Sequence, residues 1–394
     1  MHFNSFVNCV LAALCYVGLA SSALIRVANS TTEAGCQQPL IRREWRALSI
    51  PERQSFIGAV RCLQSKPGQT SDTYAGVKSR YDDFVALHIT QTDHVHWVGQ
   101  LLPHRWHRYF LWVFEQSLRE TCGYNGAVPY WDWTKDAVSE QAVLESPIFD
   151  PIHGFGGNGP YVVNTTGFPK DWQTMTPVPN RTGGGCIEDG PFAHVNISMG
   201  PGNHTEYTPH CLRRDLSPWL VTQTLNASKL AFVLKAEDFW HLDHRVEGFS
   251  LNISDLSVHG GAHLGIGGNI GEVRNTHTTL VLWKTPIRPL ATQSSGCTRK
   301  LWTEFGTYGR GKVGKTRCSD LKMTKANYEG RLGDTKERHW GPDTQWAYPY
   351  NYFGNIPYKN VTLETPLYFE QVGGVKKIAD TMDIQGGPFC YDYE

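Results

Sequence analysis

Sixteen histidines are spread unevenly through the 394-residue chain. One group comprises His88, His94, His96, His104 and His107; a second comprises His241, His244, His259 and His263. Neutral imidazoles drawn from separate segments suit copper, zinc or iron, and the facing helices of a bundle are a common place to gather them. In VHGGAH, residues 258–263, His259 and His263 stand four positions apart. A helix there would present both rings on one face, within reach of a single ion. Gly260 and Gly261 would cost that helix about 1 kcal/mol each relative to alanine, and would leave free space beside a metal. The competing reading is a glycine-rich loop carrying two polar histidines. Zinc-dependent hydrolysis fits less well, because the motif lacks the glutamate of H-E-x-x-H.

The first group obeys a distance rule. His96 and His107 are eleven positions apart, which is about 16 Å along a continuous helix. Two nitrogens on one metal, each about 2 Å from it, cannot be so far apart. If both are ligands, His96 lies off the helix that carries His107, and Gly99 and Pro103 offer the break. His104 and His107 share a helix face, so one could replace the other as ligand. His94, His204 and His277 are read as structural histidines.

The elements that must carry these residues are legible in outline. Residues 39–63 suggest two short helices broken around Ser49-Ile50-Pro51, with Ser49 as N-cap and Glu52 in the first turn of the second. Residues 81–90 and 103–121 have helical patterning, which returns over 217–240 and near Leu256. Residues 150–215 are rich in Gly, Pro, Asn and Thr and read as a long surface excursion. The fold class expected is mainly α, one large domain over residues 24–394 with long loops and few short strands.

Composition narrows the setting. Lys plus Arg and Asp plus Glu both number 37, so neither a nucleic acid nor an anionic membrane surface is an expected partner. The apolar run from Phe6 to Leu19, followed by Ser21-Ser22-Ala23, reads as a signal peptide over residues 1–23. No later stretch reaches 18 apolar residues, so a soluble chain is expected. Eight Asn-x-Ser/Thr sequons, at Asn29, Asn164, Asn180, Asn196, Asn203, Asn226, Asn252 and Asn360, agree with secretion. Beyond the leader, Cys36, Cys62, Cys122, Cys186, Cys211, Cys297, Cys318 and Cys390 remain. Their spacing shows no C-x-x-C zinc pattern, so disulfides are expected.

One segment goes further. WHRYFLWVFE resembles the first copper-binding segment of the tyrosinase and catechol oxidase family, the type-3 dicopper proteins. Trp106, His107, Arg108, Leu111 and Glu115 match its pattern position by position, and CGYNGAVPYWDW looks like its aromatic continuation. RREWRALSIPERQSFIGAVRCL, SRYDDFVALHITQT, CIEDGPF, HCLRRDLS and MDIQGGPFCYDYE resemble short secreted fungal members. The resemblance covers most of residues 36–280 and 330–394. It implies an antiparallel four-helix bundle holding two copper ions, one on His88, His96 and His107, the other on His259, His263 and a further histidine. The implied activity is oxidation of a small phenolic substrate by dioxygen, in pigment or secondary-metabolite formation. PYWDW is read as core packing.

The chain also departs from the family pattern. Ser294 and Ser295 stand where the segment after H-x-x-x-H usually carries paired histidines, and no histidine lies between His277 and His339. Three explanations stay open: a frameshift or mis-splicing within 280–325, whose run GRGKVGKTRCSDLKMTK is unusually basic; a degenerate second site in a non-catalytic secreted glycoprotein; or substitution by His277 or His339. His94 occupies a position where some fungal members have a thioether-forming cysteine, so no thioether is expected. Gly260 replaces a frequent asparagine, which tilts the expectation toward diphenols or aminophenols over monophenols. Glu247 is a candidate to orient a water in its stead.

Overall fold

The structure is a computed structural model that describes residues 36–96, 101–166, 177–235, 245–246, 253–271, 364, 366–381, 384–385 and 388–394. The leader, the 280–325 segment, Cys297, Cys318, His241, His244, His277, His339, Glu247, and the sequons at Asn29, Asn252 and Asn360 lie outside the described residues, as do the side chains of residues 92–105.

The described chain is mainly helical, with a few short strands. In order, they are β1 (Leu40–Arg42), α1 (Ile50–Ser65), α2 (Arg80–His96), α3 (Leu101–Cys122), α4 (Glu140–Leu144), β2 (Asn196–Ile197), β3 (His210–Cys211), α5 (Pro218–Thr224), α6 (Ala227–Leu234), α7 (Val258–Ile266), β4 (Pro366–Tyr368), α8 (Glu370–Gly373), β5 (Val375–Lys377) and β6 (Tyr391–Tyr393). The strands form three two-stranded pairs: β1 with β6 parallel, β2 with β3 antiparallel, and β4 with β5 antiparallel.

Local chemistry explains the helix starts. Ser49 donates its backbone N–H and its hydroxyl to Glu52, both at 2.8 Å, while Pro51 sits in the first turn, where its missing N–H costs nothing. These bonds, with Arg43 beside it, hold the Glu52 carboxyl down at about 2. Asp82 plays the same part for α2, accepting from the Ser79 N–H at 2.8 Å and its hydroxyl at 2.9 Å.

Residues 39–48 do not form the first of two helices. They form β1 and a 3-10 turn at Trp45–Ala47, because β1 finds its hydrogen-bonding partner in β6, with Leu40 opposite Tyr391 and Arg42 opposite Tyr393. Long-range pairing overrides the local pattern. The 150–215 region also departs from a surface excursion. Phe155, Ile187, Phe192, Ile197, Met199 and Leu212 all enter the main core, as single apolar residues among turn formers that carry no periodic signal.

That core is built on aromatic residues. Trp45, Phe56, Phe84, Phe110, Phe114, Phe155, Trp106, Tyr130 and Phe369 are almost wholly shielded from solvent. Tyr130, Trp131 and Trp133 of PYWDW are buried among them. α2 and α3 interlock through Phe84, whose ring meets Phe110 and Phe114 edge-on at 5.6 and 5.3 Å. Among the described residues three disulfides, Cys36–Cys390, Cys62–Cys122 and Cys186–Cys211, tie the segment before β1 to the one before β6, join α1 to α3, and close the 186–211 loop. Among the described residues no helix is long and apolar enough to cross a membrane.

Candidate metal centre

α2 ends at His96 and α3 begins at Leu101, so His96 and His107 stand on different helices. Pro103 lies in the first turn of α3, where it is tolerated. The same turn carries His104.

His88 from α2 and His107 from α3 meet. Their Nε2 atoms are 3.2 Å apart, with ring centroids separated by 5.3 Å. His88 is only 2% exposed. Two metal–imidazole bonds of about 2.0–2.1 Å, with nitrogens at that separation, enclose an angle of about 100°. The pair therefore fits one ion. Trp106 walls it in, edge-on to His88 at 5.7 Å and to His107 at 5.0 Å. Trp106 is in turn stacked between Phe110 at 4.6 Å and Phe369 at 5.2 Å, and its indole N–H donates to the Tyr368 carbonyl at 2.9 Å.

VHGGAH is helical, inside α7. The rings of His259 and His263 lie 5.0 Å apart. His263 has its Nδ1 2.8 Å from the Ile270 carbonyl. A carbonyl can only accept, so Nδ1 carries the proton and, in the neutral ring, Nε2 is the unprotonated nitrogen. That is the tautomer a metal needs, with the ring oriented by its second nitrogen. Gly267 and Gly268, both at φ +61°, make the turn that returns Ile270 beneath the ring. Sequence reasoning missed this carbonyl; the Gly-Gly pair just after the helix is the signal that could have found it.

Among the described residues no group of three or more His, Cys, Asp or Glu could hold an ion together. The described donors come as two pairs of imidazoles, and donor chemistry, tautomer and spacing fit copper.

The glycines of VHGGAH serve packing more than empty space. A Cβ on Gly261 would sit 2.2 Å from Oγ1 and 2.3 Å from Cβ of Thr224 on α5, and one on Gly265 would meet Val221 at 2.8 Å. α7 thus lies directly on α5. Gly261→Ala is expected to destabilise the protein by about 1–3 kcal/mol through overpacking, despite alanine's better helix propensity. Denaturant midpoints of the two proteins check this; an unchanged or raised midpoint would show that α5 can give way.

The chain is similar to known proteins along most of its length. Residues 78–278 match the family model described as the common central domain of tyrosinase. The chain is 30% identical to tyrosinase P of Aspergillus terreus, over 94% of this chain and 98% of that protein. Against the N-acetyl-6-hydroxytryptophan oxidase of Emericella nidulans it is 30% identical, over 95% and 99%. Against tyrosinase ustQ of Aspergillus flavus the identity is 34%, over 96% and 89%. The fold is similar to that of a polyphenol oxidase variant from Thermothelomyces thermophila, with a TM-score of 0.68, 28% identity, and coverage of 90% of this chain and 89% of that one.

Proposed function

Because the chain belongs to the tyrosinase family of type-3 copper proteins, we propose that this copper oxidoreductase is secreted and converts o-diphenols or aminophenols to quinones. The observation that carries the reading is the meeting of His88 and His107 across α2 and α3, inside the matched domain.

In this reading His88, His107 and His96 hold one ion, with His104 the alternate to His107; His259 and His263 hold the second, in an antiparallel four-helix bundle. When bound, the copper pair supplies the electron exchange that couples oxidation of the phenol to reduction of dioxygen. The protein's part is positional. The Ile270 carbonyl holds His263 in its metal-binding tautomer, and the Trp106 stack excludes water from one side of the His88–His107 pair. A diphenol asks for no nucleophile. A monophenol requires a base at the phenolic oxygen, and Glu247 is the candidate to orient a water for it. The disulfides suit an oxidising compartment; one relative is named as an oxidase of N-acetyl-6-hydroxytryptophan, a phenol, and pigment or secondary-metabolite formation is the setting this reading proposes.

The second reading is a non-catalytic secreted glycoprotein that has lost its second copper site. Ser294 and Ser295, standing in place of paired histidines, favour it. Metal analysis of protein expressed with copper separates the two readings. Two ions per chain, with oxygen uptake on catechol or an aminophenol, support the oxidase. One ion or none, with no uptake on catechol, tyrosine or aminophenols, supports the degenerate glycoprotein.

A further inference from the structure

The tripeptide Tyr368-Phe369-Glu370 touches α2 and α3 at once, at the level of the His88–His107 pair. The Tyr368 carbonyl accepts from the Trp106 indole at 2.9 Å, and the Phe369 ring lies flat on that indole at 5.2 Å, with a 16° interplanar angle. Glu370 turns the other way. Its Oε2 accepts from the Tyr74 hydroxyl at 2.7 Å, and its Oε1 receives Thr90 at 3.2 Å and Gln91 at 3.4 Å. Thr90 and Gln91 follow His88 on α2 within the same helical turn. Trp106 immediately precedes His107 on α3. Burial and the Glu370 bond push the Tyr74 phenol up to about 12, so it remains a donor at neutral pH.

Glu370 sits at φ +49°. The left-handed region costs a residue with a side chain about 1–2 kcal/mol, and such a conformation persists only where the surroundings over-determine it. Here three donors from two segments do so. A glycine would take the backbone geometry freely but could not gather them.

We propose that Glu370 is a positioning residue for the α2–α3 metal site, clamping the turn of α2 that follows His88 against the segment that grips Trp106 and so setting the separation of the His88 and His107 nitrogens. This rests on the reading of those two histidines as ligands. The clamp explains why an acidic side chain occupies a position whose backbone favours glycine.

The test is copper affinity of the full-length, metal-free protein, by titration of copper(I) against a chelator of known strength. A His259→Ala/His263→Ala background leaves only the α2–α3 site. Glu370→Gly is expected to weaken binding about tenfold, the low end for loss of an outer partner. Its melting temperature should stay close to the parent's, because relief of the backbone strain offsets the lost bonds. Glu370→Gln, which keeps the length and one acceptor oxygen, should recover most of the affinity. Tyr74→Phe and Thr90→Val each remove one donor and should weaken binding in the same direction by less; they keep the test alive if Glu370→Gly fails to fold. Unchanged affinity in Glu370→Gly, or in both donor variants, overturns the clamp. A parent protein that binds no copper, with or without His88 and His107, overturns the ligand reading instead.

Discussion

Replacing His107 with alanine is expected to cut oxygen uptake on catechol at least a hundredfold and to remove one of two copper ions. The physical case rests on the 3.2 Å between its Nε2 and that of His88. With one imidazole gone, the proposed site of His88, His96 and His107 would keep two, and the effect should exceed the 10–100-fold typical for loss of a mere outer partner. His107 is partly exposed and alanine is a good helix former, so α3 itself should survive, which circular dichroism can verify. His104→Ala is the natural control, since it shares the helix face. Wild-type behaviour there, beside collapse in His107→Ala, supports the assignment. The opposite pattern would transfer the ligand role to His104.

The largest expected effect on stability belongs to Glu115. Its Oε2 accepts from Arg42 Nε at 3.2 Å and from the Val128 N–H at 2.7 Å, and both side chains of the ion pair are only 1% exposed. Glu115→Ala strands a buried guanidinium and a buried amide at once. Breaking a buried pair from one side costs about 3–5 kcal/mol. The Tyr391 ring, 3.7 Å from the guanidinium carbon, softens this without replacing the carboxylate. Urea unfolding of the metal-free protein measures the loss. A companion Arg42→Met/Glu115→Leu variant should recover much of it, since paired removal leaves no stranded charge. A loss under about 1 kcal/mol in Glu115→Ala would mean that Arg42 finds another anchor.

What the amino-acid order makes legible here is local. α2 and α3 announce themselves by apolar periodicity, and the steric limit asks His96 to leave the helix of His107 only if both bind one metal; the structure does put them on different helices. VHGGAH reads as a helix only if its glycines have a use, and the use of Gly261, close approach to Thr224, depends on a helix more than thirty residues upstream. The disulfide partners, the parallel pairing of β1 with β6, and the grip of Tyr368-Phe369-Glu370 on α2 and α3 are all non-local. No spacing rule within a window can reveal them. The Ile270 carbonyl is hidden for another reason: backbone atoms carry no residue identity, so only the Gly267-Gly268 turn hints at it. The core residues scattered through 150–215 are hidden because single apolar positions between glycines and prolines have no period.

The union of β1 with β6, fastened by Cys36–Cys390 across 354 positions, has a consequence for biosynthesis. At about 5–20 residues per second, the partner of the first strand emerges roughly 20–70 s after it. Until then Cys36 is a thiol without its native mate, and Arg42 lacks the Tyr391 and Tyr393 rings that shield it. The earliest of the three described bridges in chain order is therefore the last of them able to close, and its oxidation waits on synthesis of the segment that carries β6.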